Sequence, residues 1–169
     1  MTLDAAANDV GTLAVSRAAP LARRVAPVTI AAGATFLIWN QLERGEAWTS
    51  AQCLGMLSLP GVWLVIASLD GEDVGFALAR VVADEAELLL LATRPSARRR
   101  GVAGALLRAV INEAEARGVT QLHLEVRAGN DAVRLYRREG FEKVGERRNY
   151  YKGKMGQAFD AHTYARELR

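Results

Sequence analysis

Residues Leu88–Phe141 read LLLLATRPSARRRGVAGALLRAVINEAEARGVTQLHLEVRAGNDAVRLYRREGF, and the clearest structural signals of the chain lie in this segment. An apolar run ends at Thr93, and a basic loop containing glycine follows at Arg94–Gly104. A run with helical periodicity comes next, then a strand pattern at Leu122–Arg127 with one carboxylate, then a short helix carrying Tyr136. This order of parts suits a protein that holds a phosphate-bearing ligand beside a base and an acid.

The basic loop is predicted to form an anion-binding helix start. Arg98, Arg99, Arg100 and Gly101 stand directly before apolar residues at helical spacing, namely Val102, Leu106, Val110 and Ala114, with Ala103, Leu107 and Ile111 alongside. The first N–H groups of a helix have no partner inside it, and the helix dipole adds positive charge there. Gly101 and Gly104 permit close backbone approach, and arginine offers bidentate donors to phosphate. The motif alone leaves open a plain solvated turn capping a surface helix.

Strand patterns on both sides of this stretch predict the rest of the sheet. Three short strands at Val62–Leu69, Val74–Val82 and Ala86–Thr93, separated by turns, indicate an antiparallel meander. Helices and strands then alternate, which favours a βαβ crossover. The last two strands are predicted at Phe141–Arg147 and Phe159–Leu168, joined by a loop at Arg148–Ala158. We therefore expect an α/β (α+β) fold whose mixed, mostly antiparallel sheet is flanked by helices.

The length of 169 residues fits one domain, expected at residues 28–169 after a loose tail at residues 1–27. A first strand is expected at Thr29–Ala32 and a first helix at Thr35–Arg44. Ser50 resembles the N-cap of a short helix through Leu57. The apolar stretch Val25–Trp39 follows a twin arginine but is too short to span a bilayer, so no membrane partner is expected.

The charge and cysteine content narrow the function class. The net charge is only +3, and the basic residues are clustered locally, whereas nucleic-acid binding favours a broad basic face. Direct nucleic-acid binding is therefore not expected, and a polyanionic cofactor fits better. The single cysteine excludes an internal disulfide and fits a reducing, cytoplasmic compartment. The two histidines, His123 and His162, stand far apart in sequence, so no metal site is predicted.

Glu125 is the strongest candidate for chemistry. In a strand, His123, Glu125 and Arg127 point to one face and the neighbouring apolar residues to the other. A carboxylate in a central strand is disfavoured unless it is paired or working. The strand pattern alone favours a salt bridge from Glu125 to a nearby arginine. His123 is a second base candidate by residue type.

At these residues the chain resembles a known family. The spacing Arg98-x-x-Gly101-x-Ala103 is similar to the acyl-CoA pyrophosphate loop of the GNAT superfamily of N-acyltransferases. Further matches resemble the RimI-type enzymes, which acetylate the N-terminal alanine of a small-subunit ribosomal protein. They are Leu122-His123-Leu124-Glu125-Val126-Arg127, Asn130, Leu135-Tyr136, Gly140-Phe141 and Arg147-Arg148-Asn149-Tyr150-Tyr151.

The resemblance implies a site for acetyl-CoA. The GNAT sheet splays between its fourth and fifth strands, here Leu88–Thr93 and Gln121–Arg127. The backbone of Leu91, Ala92 and Thr93 would then bind the pantetheine arm, as an added strand does. The implied pyrophosphate loop comprises Arg98, Arg99, Arg100, Gly101, Val102, Ala103 and Gly104. Asn130 aligns with a cofactor-contacting asparagine, although the segment from Asn130 to Tyr136 is one residue shorter here.

The resemblance also implies roles around the acceptor. Glu125 would be the base, and His123 would have a packing role. Tyr136 would be the acid; the alternative for Tyr136 is a buried aromatic residue whose hydroxyl has a hydrogen-bond partner. Tyr150 and Tyr151 would bind the acceptor backbone, and Trp48 would wall its site or belong to the core. The implied activity is N-terminal alanine acetylation in a ternary complex. A GNAT enzyme for lysine or small amines, and a non-catalytic acyl-CoA-binding module, are the alternatives.

Overall fold

The computed structural model describes residues 13–17, 55–152 and 156–169. In this part of the chain seven strands form one sheet, which two α-helices and a short turn of 3-10 helix accompany. The strands are β1 (Leu13–Arg17), β2 (Val62–Leu69), β3 (Glu72–Val82), β4 (Glu85–Thr93), β5 (Gln121–Arg127), β6 (Glu142–Lys152) and β7 (Ala158–Glu167). The helices are α1 (Val102–Ala116) and α2 (Val133–Arg138), and the turn is Pro95–Ala97. Residues 55–57 are also helical, in the last part of the helix predicted from Ser50.

The sheet has the strand order β1-β2-β3-β4-β5-β7-β6, and β4–β5 is the parallel pair among its antiparallel neighbours. The meander β2–β3–β4 is confirmed. Asp70 and Gly71 make the turn between β2 and β3, both with positive φ, which is the conformation of a tight two-residue hairpin turn. The mixed, mostly antiparallel sheet predicted from the sequence is therefore correct.

Helix α1 forms the crossover from β4 to β5 and packs across β1–β4. Its apolar stripe is the predicted one, and Leu106, Leu107 and Val110 are fully buried. Gly75 in β3 lies under the helix, where an added Cβ would stand 3.0 Å from side-chain atoms of Val102 and Leu106. The glycine thus lets the beginning of α1 press closely onto the sheet.

The sheet splays between β4 and β5. The parallel pairing runs only from Glu85↔Gln121 to Leu88↔Leu124. Beyond that point β4 stays paired with β3 as far as Gly75↔Thr93, and β5 stays paired with β7 as far as Arg127↔Ala161. The carboxyl-terminal halves of β4 and β5 therefore separate and leave a gap between them.

Two boundaries differ from the expectations. Residues 148–152, predicted to lie in a loop, belong to β6, which pairs with β7 on both sides of a bulge. Within the expected tail, Leu13–Arg17 forms β1 and pairs with Val65 to Leu69 of β2, so the expectation of a tail does not hold for these five residues. The strand at residues 29–32 and the helix at residues 35–44 lie outside the described residues. No helix in the described ranges has the length and apolarity needed to cross a membrane.

Candidate active site

A cleft of about 610 Å³ fills the gap between the splayed strands. β4 contributes residues 88–91 to one wall, and β5 contributes residues 124–127 to the other. The turn at residues 129–131, Tyr136 of α2 and Tyr151 of β6 complete the lining. The splay therefore brings the candidate base, the candidate acid and one candidate acceptor-binding tyrosine to one cavity.

Glu125 lies on the cleft wall and is paired with Arg147. Arg147 Nε donates a hydrogen bond to Glu125 Oε1 at 2.8 Å, and Arg147 Nη2 contacts both carboxylate oxygens. The Glu125 side chain is 21% exposed, which is consistent with access from the cleft. The hydrogen bond from Arg147 to the Glu125 carboxylate raises the pKa of the guanidinium above its ordinary value, which favours the charged form of Arg147. The salt bridge expected from the strand pattern is present, and it leaves Glu125 beside the cavity.

Tyr136 reaches the same cleft from the short helix α2. Its ring is 8% exposed and packs edge-on against Phe141, with ring centroids 6.2 Å apart. Phe141 N–H donates a hydrogen bond to the backbone carbonyl of Tyr136, which fixes the turn after α2. The contact with Phe141 fixes the Tyr136 ring, and Tyr136 also lines the cleft. A packing role and a chemical role are therefore compatible for this residue.

Tyr150 and Tyr151 form an aromatic pair beside the cleft. Their ring centroids are 5.1 Å apart with an interplanar angle of 82°. Tyr150 is 49% exposed, whereas Tyr151 is half-buried and lines the cleft. The guanidinium of Arg147 lies 4.0 Å from the Tyr150 ring centroid, a cation–π contact. Glu125, Arg147 and the tyrosine pair are thus one connected group.

Comparisons with known proteins agree with the fold. Residues 31–141, more than half of the chain, match the Acetyltransferase (GNAT) family. The chain belongs to the GNAT family. It is 35% identical to the N-alpha-acetyltransferase RimI of Mycobacterium tuberculosis (strain ATCC 25618 / H37Rv) over 127 residues. This match covers 72% of this chain and 77% of that protein.

A curated relative and a crystal structure, both from Escherichia coli, extend this GNAT likeness. The chain is 47% identical over 83 residues to the [Ribosomal protein bS18]-alanine N-acetyltransferase of strain K12, covering 48% of this chain and 56% of the relative. The match therefore spans just over half the length of that curated relative. The crystal structure of the ribosomal-protein-S18-alanine N-acetyltransferase from Escherichia coli superposes with a TM-score of 0.78 at 30% identity, covering 93% of this chain and 94% of that one.

The GNAT splay leaves one edge of β4 available to a ligand. Beyond Leu88, the side of β4 that faces away from β3 pairs with no strand in the described part of the chain. Leu91 lines the cleft, and Ala92 and Thr93 continue β4 toward the basic loop. An extended amide chain could pair with this edge as an added strand does.

The predicted anion site lies at the beginning of α1. Ala105 N–H donates to the Gly101 carbonyl, so the N–H groups of Val102, Ala103 and Gly104 have no acceptor within the helix. Gly101 has a φ of 81°, which turns the chain into the helix. The side chains of Arg98, Arg99 and Arg100 are exposed around this end. The helix start and the arginines together provide the donors that an anionic group requires.

Gly101→Ala is predicted to weaken acetyl-CoA binding, because alanine disfavours the positive φ that orients these N–H groups. The strain should lower the free energy of unfolding by about 1–2 kcal/mol. Gly118→Ala is the matched control, since Gly118 has a φ of 76°, ends the same helix and is equally open around its Cα. Calorimetric titration with acetyl-CoA should show weaker binding for Gly101→Ala alone. Equal affinities in both variants would contradict an anion site at Gly101.

Asn130 lines the cleft but also has a structural task. Its Oδ1 accepts a hydrogen bond from Ala132 N–H at 2.9 Å, and its backbone carbonyl accepts one from Val133 N–H. These bonds start α2, so they help to place Tyr136. The amide nitrogen of Asn130 is the part of the side chain suited to donate to a ligand, and its predicted contact with the cofactor stays a prediction.

The structure assembles most of the predicted site residues and adds two that the sequence did not single out. Trp48 lies outside the described residues. The sequence suggests that Arg147 orients an acidic or main-chain group without showing which one, and it gives no signal for Asp160. Asp160 accepts a hydrogen bond from Asn149 N–H at 2.8 Å, which fixes the bulge at residues 148–150. The strand pattern predicts an arginine partner for Glu125, but only the strand register identifies it as Arg147 and places Asp160 beside Asn149. Within the described ranges, no group of three or more His, Cys, Asp or Glu side chains could hold a metal ion.

Proposed function

We propose that this protein transfers the acetyl group of acetyl-CoA to the N-terminal alanine amine of a small-subunit ribosomal protein. The reaction is direct attack by the amine in a ternary complex. The observation that carries this proposal is the cleft, which Glu125, Tyr136 and Tyr151 share. Relatives named as ribosomal protein bS18-alanine N-acetyltransferases support the choice of acceptor. A ribosomal acceptor places the protein in the cytoplasm.

The chain's own residues fit an acyl-CoA. The edge of β4 from Leu91 to Thr93 offers backbone groups to the pantetheine amides, and the start of α1 at Gly101 offers N–H groups to the pyrophosphate. The exposed arginines, Arg98, Arg99 and Arg100, add positive charge for the phosphates. Acetyl-CoA supplies the acetyl group as a thioester.

Glu125 is the base in this proposal. The acceptor arrives as an ammonium and must lose a proton before its nitrogen can attack the thioester carbonyl. Arg147 occupies part of the carboxylate, but a carboxylate has about four lone-pair positions, so Glu125 can still accept a proton through a water molecule. A free α-amine has a pKa of about 8 and a lysine side chain about 10.4, a difference of roughly 3 kcal/mol in deprotonation. One carboxylate is therefore better matched to an N-terminus than to lysine.

Tyr136 is the acid, and the tyrosine pair binds the acceptor. The Tyr136 hydroxyl would donate a proton to the sulfur as the thiolate departs, so that coenzyme A leaves as the neutral thiol. Tyr151 lines the cleft and Tyr150 packs against it, so the pair would present two hydroxyls to the backbone of an extended peptide. This placement favours a peptide over a small free amine.

The test uses purified protein, acetyl-CoA and two synthetic peptides, with intact mass as the readout. One peptide begins with a free alanine amine, and the other has a blocked amine and an internal free lysine. Acetylation of the free N-terminus alone is the expected result. Acetylation of the lysine peptide instead would overturn the proposed acceptor. Binding of acetyl-CoA without acetylation of either peptide would overturn the activity on such N-termini.

A further inference from the structure

The Glu125–Arg147 pair bridges two strands that do not adjoin. In the sheet, β7 lies between β5 and β6, and Glu125, Thr163 and Gly145 stand opposite one another across the three strands. Gly145 has no side chain, so the space over Thr163 stays open, and Arg147, two residues further along β6, lies on the same face. The guanidinium reaches Glu125 across β7 through this opening.

A bulge in β6 brings the tyrosines to the same guanidinium. Arg147 pairs with Ala161 and Tyr151 with Phe159, so residues 148–150 stand opposite Asp160 alone. Asn149 has a φ of 56°, and its N–H donates to Asp160 Oδ1 at 2.8 Å. In a regular strand, side chains three positions apart point to opposite faces. The bulge instead places the Tyr150 ring against Arg147.

The Glu125–Arg147 ion pair is expected to contribute little to the stability of the fold. The Arg147 side chain is 55% exposed, and ion pairs that water can reach contribute little to folding. Yet Arg147 makes two specific contacts at once: a forked set of hydrogen bonds to the Glu125 carboxylate and a stack on the Tyr150 ring. Its geometry couples the proton-accepting group to the aromatic wall of the cleft.

We propose that Arg147 is a positioning residue that holds the Glu125 carboxylate and the Tyr150–Tyr151 wall in one geometry for the acceptor amine. This proposal rests on the proposed function. The forked guanidinium fixes both oxygens of Glu125, so the carboxylate meets the amine at one orientation. The stack fixes the Tyr150 ring, which in turn contacts Tyr151. Arg147 acts through these groups and does not itself touch the reacting atoms.

The test compares Arg147→Gln, Arg147→Lys and Arg148→Gln by steady-state kinetics with the accepted peptide. Arg148 is the matched control, because it is the adjacent arginine, is 86% exposed and makes only a loose 3.9 Å contact with Glu146. We expect Arg147→Gln to lower kcat about tenfold and to raise the peptide KM, with an unchanged KM for acetyl-CoA. Arg147→Lys should recover part of kcat, because its charge remains while the fork is lost. Arg148→Gln should behave as the unsubstituted protein.

A double-mutant cycle separates this inference from the proposed function. If Arg147 acts through Glu125, kcat of Glu125→Gln/Arg147→Gln should equal that of Glu125→Gln alone. Additive losses would overturn the positioning role while leaving Glu125 as the base. A rise in kcat for Arg147→Gln would also overturn it, because the pair would then be an inhibitory latch. Full turnover of Glu125→Gln alone would instead refute the proposed base.

Discussion

Glu125→Gln is expected to lower kcat by about 10²- to 10⁴-fold, the usual contribution of a positioned general base. Glutamine has nearly the same shape, so the strand and the cleft should persist, and the affinity for acetyl-CoA should stay unchanged. The loss should shrink as the pH rises above the acceptor's own pKa of about 8, because the amine then arrives already deprotonated. Rates measured with the alanine peptide between neutral and alkaline pH would reveal this convergence.

Glu167→Gln provides the control for the loss of one carboxylate. Glu167 is exposed on β7, pairs opposite Gln121 and stands at the far end of the sheet from the cleft. This variant should retain full activity at every pH. A Glu125→Gln protein that turns over at the unsubstituted rate at neutral pH would remove Glu125 from the mechanism. A deficit that persists unchanged at alkaline pH would indicate that Glu125 orients the acceptor without taking its proton.

The central fold could be predicted because its signals are local. α1 shows its 3.6-residue period within its own sequence, and Asp70 and Gly71 mark a hairpin turn between two apolar strands. β1 could not be predicted in the same way. Its five residues, Leu13–Arg17, have no distinctive pattern and become a strand by pairing with Val65 to Leu69, about fifty residues away. An edge strand of this kind depends on its partner more than on its own composition.

Individual site residues could be predicted from the sequence, but the contacts between them could not. Strand alternation and the family resemblance pointed to Glu125, yet the identity of its ion partner depends on the register of β5, β7 and β6. The loop predicted at Arg148–Ala158 includes Tyr150 and Tyr151, but both lie in β6. Asp160 accepts a hydrogen bond from Asn149 N–H, residues 148–150 form a bulge, and strand pairing resumes at Tyr151. Asp160 is eleven residues from Asn149 in sequence. The sequence pattern alone therefore does not reveal that it supports the bulge.

Tyr136→Phe is expected to lower kcat by about 10²-fold with little change in acetyl-CoA affinity, since it removes one proton donor from the transition state. The phenyl ring should keep its edge-on packing against Phe141, so the folded structure should persist. Tyr164→Phe is the matched control, because Tyr164 is 1% exposed in the core and does not line the cleft. It removes a tyrosine hydroxyl as well, and any effect should appear in the thermal midpoint and not in kcat.

The leaving group decides whether the Tyr136 hydroxyl acts as an acid or only supports the cavity. An alkyl thiol such as that of coenzyme A has a pKa near that of cysteine, about 8.5, so its thiolate leaves more readily when it receives a proton. An aryl thiol is more acidic and leaves without that help. With an acetyl aryl thioester as donor, Tyr136→Phe should therefore approach the unsubstituted rate. A deficit of equal size with both donors would assign Tyr136 to positioning, because a misplaced acceptor slows attack whatever group departs.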